Sequence, residues 1–338
     1  MRKTEIISLG IESTAHTIGV GIVKSSGKKD ETEILANEFS TFVSKHSGMI
    51  PRDLAEHHSN EFSDVLKRAL EKANISINNV DIISVSHGPG IGAPLSFGVA
   101  MAKYLAVKFD KPIIGVNHPY AHIKIAELFS KVNDNIIVYV SGGNTQILYP
   151  NGPFYEILGE TLDMGVGNLL DSFARELKLS PPNAVSLSKL AENGEYIELP
   201  YTVKGLNMTF SGLFTAAKRL VGKEKPENIA YSLIMNAFSS IVEVTERALF
   251  IKNAKGIIAC GGVAQSNILR KMLKKIAKED NVDFTVPKNE FNRDNGAMIA
   301  YAGILLYKQF GESDIEKLIP YPDYRIDRMR ETIEKVKK

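Results

Sequence analysis

Two segments of the chain repeat one design, and that repetition limits what the sequence can fold into. Thr4 to Glu12 reads as a strand, Ser13-Thr14-Ala15-His16-Thr17 as a polar turn, and Ile18 to Val23 as a second strand. About 130 residues later the pattern restarts. Asn135 to Val140 is a strand, Ser141-Gly142-Gly143-Asn144 a turn, and Thr145 to Tyr149 a strand again. A repeated hairpin of this kind suggests duplication of one α/β unit, with a cleft between the copies. Two backbone-rich turns facing each other across a cleft would hold a phosphate chain through N–H groups. Two unrelated hairpins would give the same pattern.

The first hairpin carries small residues that let something approach its backbone. Actin-like and sugar-kinase-like ATPases begin this way, with the turn facing the nucleotide phosphates, although a hairpin needs no ligand. Ile34 to Val43 reads as a further strand, followed by a loop around His46-Ser47-Gly48-Met49-Ile50-Pro51 and a helix from Arg52 to Asn74. That helix carries His57 and His58, most simply on a solvated face. Val80 to Ser86 is an apolar strand, Gly88 to Pro94 a stiff turn, and Ser96 to Phe109 a helix. The glycines would let the helix N-terminus meet an anion. They match neither GxGxxG nor a P-loop with its lysine, however, and a strand-to-helix turn needs no ligand.

Asn117 is a good N-cap and Pro119 suits a first helical turn, so a helix should begin after the apolar run Pro112 to Val116. His118 and His122 are then one turn apart on one face, where two imidazoles can grip one metal ion. Two histidines rarely suffice, so a third ligand must come from elsewhere; a buried or capping histidine pair is the plainer alternative.

After the second hairpin, Gly159 to Asn168 leads into a helix, Leu169 to Leu177, that carries Asp171 and Arg175. Lys178 to Ser188 reads as a loop, Thr202 to Ala217 as irregular, and Asn228 to Phe250 as a long amphipathic helix. Gly256 to Cys260 is a buried strand ending in Gly261-Gly262-Val263-Ala264-Gln265-Ser266-Asn267. The helix Ile268 to Glu279 follows, and its lysines, Lys271, Lys274, Lys275 and Lys278, form a solvated face. Val282 to Pro287 is the last strand. Phe291 to Gly296 starts the apolar helix Ala297 to Tyr307, with Asp294 as an N-cap or first-turn carboxylate.

At 338 residues the chain is long enough for two domains. The boundaries expected are 1–132 and 133–326, with 327–338 as a charged tail or linker. No run of about 18 apolar residues occurs, so no membrane span is expected. Met1-Arg2-Lys3-Thr4-Glu5 lacks the apolar stretch of a secretory signal. The single cysteine, Cys260, excludes an internal disulfide framework and fits a reducing cytoplasm. The formal charge of +2 is nearly neutral. A nucleic-acid partner would therefore need a local basic patch or a second protein.

Taken together these segments resemble the tRNA threonylcarbamoyladenosine transferase family, TsaD in bacteria and the catalytic subunit of the KEOPS complex in archaea and eukaryotes. The matching stretches are Gly10-Ile11-Glu12-Ser13-Thr14-Ala15-His16-Thr17, Gly88-Pro89-Gly90-Ile91-Gly92, Gly115 to His122, Tyr139 to Gln146, Gly159 to Asp163, Gly261-Gly262-Val263 with Asn267, and Asn292 to Gly296. They keep the family's order, and Tyr139 to Asn144 with Val203-Lys204-Gly205 fit the archaeal or eukaryotic branch best.

The resemblance implies an α/β, actin-like ATPase (ASKHA) fold, two duplicated RNase H-like domains around a cleft. It implies one metal ion, iron or zinc, held by His118, His122 and Asp294 with Tyr139 approaching it, and magnesium with nucleotide. The implied donor is threonylcarbamoyl-AMP, with ATP or AMP as related ligands. The implied acceptor is N6 of the adenosine beside the anticodon of tRNAs reading ANN codons. Ser141, Gly142, Gly143 and Asn144 would meet the threonylcarbamoyl-phosphate part, Asp171 the ribose, and Gly261, Gly262 and Asn267 the adenine. The implied partners are tRNA, a small dimerising KEOPS subunit and an atypical kinase. No residue stands out as a general base.

Where relatives carry Gly-Gly-Pro and a glutamate, this chain has Asn183-Ala184-Val185 and Ser188, which alters packing at the nucleoside end. Some archaeal relatives continue past the position of Lys338 into a fused kinase domain. Two other activities share features with this sequence. A zinc metallopeptidase would need H-E-x-x-H, but Pro119 stands where the glutamate belongs. A chaperone or kinase of the same fold would need acidic residues near the phosphates, and Glu12 is the candidate in the first turn.

Overall fold

The computed structural model describes residues 5–43 and 50–337. Most of the loop expected around His46 to Pro51 lies outside the described residues. The chain divides into two compact units, Met1–Leu128 with Lys288–Lys338, and Phe129–Pro287.

The first unit opens with β1 (Ile6–Glu12), β2 (Thr17–Ser25) and β3 (Thr32–Thr41), then α1 (Pro51–Ala73), β4 (Ile82–Gly88), α2 (Gly92–Lys108), β5 (Ile113–Asn117) and α3 (His118–Glu127). Its sheet runs β3-β2-β1-β4-β5, with antiparallel pairs on the β3 side and parallel pairs from β1 to β5. In the second unit come β6 (Asn135–Val140), β7 (Thr145–Asn151), β8 (Phe154–Glu160), α4 (Val166–Glu176), α5 (Ala184–Leu190), β9 (Val203–Lys204), β10 (Asn207–Met208), α6 (Ser211–Lys218), α7 (Pro226–Lys252), β11 (Gly256–Cys260), α8 (Asn267–Glu279) and β12 (Asp283–Thr285). Its main sheet runs β8-β7-β6-β11-β12, antiparallel on the β8 side and parallel on the other. The two sheets therefore share one order and one mixture of directions, as the repeated hairpin led one to expect.

The chain then returns to the first unit through α9 (Asn289–Asn292), α10 (Gly296–Phe310) and α11 (Met329–Val336). Division by chain order had put residues 288–326 with the second domain. Instead α10 lies on β1, β2 and β4. Strand alternation explains why. Leu9, Ile11, Ile18, Val20, Ile22, Ile83 and Val85 point to one side and share a core with Phe62 and Val65 of α1 and Val99 and Ala102 of α2. The intervening positions are small, and there the backbone of α10 comes close. A Cβ at Gly10 would lie 2.2 Å from Ala300 N, and one at Gly21 2.0 Å from Ala297 N. The small residues of the first hairpin thus admit a helix of the same chain. Residues 327–338, read as tail or linker, contain α11, with Met329 buried and the Asp314 N–H donating to the Val336 carbonyl at 2.7 Å.

Three local readings change. Lys178 to Ser188 is not all loop, because Asn183 caps α5: its Oδ1 accepts from Ser186 N at 3.0 Å. Thr202 to Ala217 is not irregular but holds the β9–β10 hairpin, turning at Gly205 (φ +63°), and α6. The strand β8 has no clean alternation to reveal it: in its seven-residue run, FYEILGE, Leu158 is skipped in the pairing with β7 at a bulge.

His87, at the end of β4, gives the first unit a pH dependence. It is buried, its Nδ1–H donates to the Ile319 carbonyl at 3.2 Å, and its ring meets Tyr324 edge to face. Burial pushes its pKa down to about 4, only partly offset by that hydrogen bond. The folded state therefore keeps it neutral while the unfolded chain takes up a proton below about pH 6.5. Stability is complete above that pH and falls as pH drops towards 4, by about 3 kcal/mol from this residue. Urea unfolding between pH 7 and 4.5 should show the loss, and His87→Gln should flatten it. An unchanged slope in the variant would refute the assignment.

Candidate metal centre

The centre is built where β5 runs into α3. The Asn117 side chain accepts from Tyr120 N at 3.0 Å and donates to the Tyr324 carbonyl at 3.0 Å, fixing where the helix starts. Pro119 occupies the first turn. His118 and His122 follow on one face, their rings edge to face with centroids 4.7 Å apart. The third group comes from just before α10. There Asn295 accepts from Met298 N at 3.0 Å and donates to the Arg293 carbonyl at 2.7 Å, which holds the chain at Asp294. Asp294 Oδ1 lies 3.4 Å from His118 Nε2 and 3.3 Å from His122 Nε2.

Three ligand atoms, one from each residue, lie within 4.8 Å of one another. The edge of a tetrahedron with bonds of about 2.0–2.1 Å is about 3.3–3.4 Å. Both carboxylate–imidazole separations have that length, so the donor set fits one bound metal ion. His122 is 1% exposed and His118 8%, whereas the Asp294 side chain keeps 20% of its surface.

With protein groups alone around it, the site is strongly polarised. Burial opposes a charged His118, but the charges of Glu12 and Asp294 and hydrogen bonds to both push its pKa up to about 10. Burial lowers the pKa of His122 despite its bond to Asp294. Asp294 is held well below the usual carboxylate range: burial works against this, but the hydrogen bonds from both imidazoles outweigh it.

One member of this group escaped the reading by spacing. Glu12, at the end of β1 and fully buried, sits with Oε2 2.9 Å from His118 Nδ1. Its Oε1 accepts from Thr14 N at 2.7 Å and from the Thr14 hydroxyl. The signal available in the sequence was an acid on an otherwise apolar strand.

The remaining candidates lie in the second unit. Tyr139 is buried in β6, directly across from Cys260 of β11 and from Gln146 of β7. The Ser141–Asn144 turn leaves the end of β6. Ser141 N donates to Asn144 O at 2.8 Å, and Gly142 and Gly143 stay exposed. The start of α4 packs on this turn, with Gly167 N donating to Ser141 O at 3.1 Å and Asn168 N to Gly142 O at 3.0 Å. Gly261 leaves the neighbouring end of β11 at φ +93°, where a Cβ would lie 2.4 Å from Val140 O. The turn and the Gly261–Gly262 stretch therefore meet at the carboxyl ends of adjacent strands, where open α/β sheets bind ligands. Asn267, exposed, begins α8. Asp171 on α4 accepts from Ala184 N at 2.8 Å, so it also fastens α5. Asp163 works within the fold: it accepts from Phe210 N at 2.9 Å, Ser211 N at 2.9 Å and Met164 N at 2.7 Å. Burial notwithstanding, these bonds draw its pKa down to about 2.

Comparison with known proteins identifies the family and the fold. A model of the TsaD family, described as tRNA N6-adenosine threonylcarbamoyltransferase, matches residues 33–301. The tRNA N6-adenosine threonylcarbamoyltransferase of Thermococcus sibiricus is 46% identical over 330 residues, covering 97% of this chain and 100% of the relative. That of Saccharolobus islandicus is 46% identical over 329 residues, 96% of this chain and 98% of the relative. Among solved structures, HypF of Thermococcus kodakarensis has a TM-score of 0.64 at 16% identity over 91% of this chain, which spans 48% of HypF. Component A of the Acidaminococcus fermentans (R)-2-hydroxyglutaryl-CoA dehydratase has a TM-score of 0.52 at 14% identity, covering 90% of this chain and 98% of that one. These likenesses concern the fold, which is of the actin-like ATPase type.

Proposed function

The chain belongs to the TsaD family of tRNA N6-adenosine threonylcarbamoyltransferases, and we propose how its residues carry that activity. It is a transferase that forms threonylcarbamoyladenosine at N6 of an adenosine in tRNA. The donor is threonylcarbamoyl-AMP, and the acceptor adenosine stands beside the anticodon of tRNAs reading ANN codons. The observation that carries the chemistry is the donor set of His118 and His122, both buried, and the partly exposed Asp294, spaced for one ion.

Iron or zinc is the metal, since two imidazoles and a carboxylate suit either. His118, His122 and Asp294 hold it, and the family pattern adds Tyr139. When bound, the ion supplies positive charge that anchors and polarises the threonylcarbamoyl group. Ser141, Gly142, Gly143 and Asn144 bind the donor's carbamoyl-phosphate part. Their N–H groups stabilise negative charge as it develops on the carbonyl oxygen. The adenosine amine attacks the carbonyl carbon, the bond to the phosphate oxygen breaks, the amine loses its proton and AMP departs. Asp171 meets the ribose, and Gly261, Gly262 and Asn267 the adenine, with magnesium accompanying nucleotide phosphates. Asn183 and Ala184 reshape the ribose end by capping and starting α5. Tyr139 to Asn144 and Val203-Lys204-Gly205 support membership of a KEOPS assembly with a small dimerising subunit and an atypical kinase. Cys260, the single cysteine of the chain and buried, suits the cytoplasm. Among the described residues no helix is long and apolar enough to cross a membrane.

The test is transfer of labelled threonine onto tRNA, with an enzyme that makes the adenylate and the KEOPS partners supplied. Wild type should label the tRNA and His118→Ala should not. No labelling by wild type, with ATP turnover intact in His118→Ala, would point to a kinase or chaperone instead.

A further inference from the structure

We propose that Glu12 is the positioning residue of the metal centre: it fixes which nitrogen of His118 faces the ion and supplies the negative charge that balances it. The inference rests on the metal reading above and adds to it a residue outside the ligand set.

A carboxylate at zero exposure is costly unless its oxygens are occupied and its charge is met. The oxygens of Glu12 are occupied. Oε1 takes the N–H and hydroxyl of Thr14, and Oε2 lies 2.9 Å from His118 Nδ1. The Thr14 hydroxyl also stands 3.2 Å from that nitrogen. Nδ1 thus keeps a proton towards Glu12, and Nε2, whose N–H points to Asp294, is the nitrogen that gives up its proton when an ion binds. A histidine held this way presents one nitrogen, in one ring orientation, to a metal.

The charge count points the same way. Glu12 and Asp294 flank the His118 ring with two negative charges, 2.9 Å from one nitrogen and 3.4 Å from the other. One divalent cation balances both while leaving the two imidazoles neutral, the form in which they ligate. The fold brings Glu12 there by alternation: Leu9 and Ile11 face the apolar core, so Glu12 takes the opposite side of β1, as Gly10 does against α10. A purely structural role, tying down the Thr14 turn, would use Oε1 and would not require Oε2 to reach His118.

The experiment titrates the metal-free full chain with Co2+ and with Zn2+, recording dissociation constants and the Co2+ visible spectrum. Variants are Glu12→Gln, Glu12→Asp, Thr14→Val and His118→Ala. Glu12→Gln keeps the shape but removes the charge, and should weaken binding about 10- to 100-fold with an altered Co2+ spectrum. Glu12→Asp keeps the charge on a shorter arm and should fall between it and wild type. Thr14→Val, which loosens Glu12 without touching the ring's ligating nitrogen, should weaken binding less than Glu12→Gln. It keeps the test decisive if Glu12→Gln fails to fold. Wild-type affinity and spectrum in Glu12→Gln, or in Thr14→Val where Glu12→Gln does not fold, with binding lost in His118→Ala, would overturn the role of Glu12 and leave the metal centre standing. No binding by wild type would overturn the metal centre itself, and this proposal with it.

Discussion

Replacing His122 with alanine should give a folded protein that retains no stoichiometric metal and transfers threonylcarbamoyl groups at least about 1,000-fold more slowly than wild type. His122 is almost fully buried on α3, and its Nε2 lies 3.3 Å from Asp294 Oδ1. Without it, a single imidazole and a carboxylate remain beside the Tyr139 that the family pattern adds, a set one nitrogen short that does not hold iron or zinc against water and buffer. The effect on folding is smaller. The ring leaves a small cavity beside His118, whose edge-to-face contact is lost, at a cost of about 1–3 kcal/mol. Metal analysis of the purified variant, thermal melting and turnover on tRNA separate these effects. Full metal occupancy with turnover within about tenfold of wild type would remove His122 from the ligand set. Chelation of the wild type should reproduce the loss of turnover, and re-addition of one metal should restore it.

How far the sequence foretold this site depends on which contacts are local. His118 and His122 were legible because a capped helix fixes residues four apart on one face. Asp294 lies 172 residues beyond His122, and no periodicity connects them. Only resemblance to a family linked the two, since local sequence gave Asp294 no more than a helix-start role. Glu12 stands out in the sequence as an acid in a glycine-rich hairpin, where it reads as a phosphate-side group. Its partnership with His118 spans 106 positions and depends on β1 and β5 flanking β4 in one sheet. The duplication was legible because it repeats a whole supersecondary unit. The return of α10 to the first unit was not, because helices carry no mark of the sheet they will cover. The mark was on the strands, in the alternation of Gly10, Gly19 and Gly21 with large apolar residues. In sequence alone the same alternation looks like room for a ligand.

That alternation carries the second large prediction. Gly21→Val should destabilise the first unit by about 4 kcal/mol or more and weaken metal binding as well, although no ligand is changed. A Cβ at Gly21 would stand 2.0 Å from Ala297 N and 2.3 Å from the Gly296 carbonyl carbon. Those atoms are backbone, so no rotamer change relieves the clash and the start of α10 must move away. Asp294 lies two residues before that helix, held by the Asn295 cap. Displacing the helix start therefore carries the carboxylate away from His118 and His122. Gly212→Ala is the control, because a Cβ there meets nothing within 4 Å. At an exposed position of α6 it should change stability by less than about 1 kcal/mol, in the favourable direction. Urea unfolding of the metal-free variants, followed by Zn2+ titration of any that fold, tests both parts. Wild-type stability in Gly21→Val would mean that α10 does not lie backbone to backbone on the hairpin. Lowered stability with unchanged Zn2+ affinity would mean that Asp294 keeps its place when the helix shifts. The coupling would then be refuted while the close packing stood.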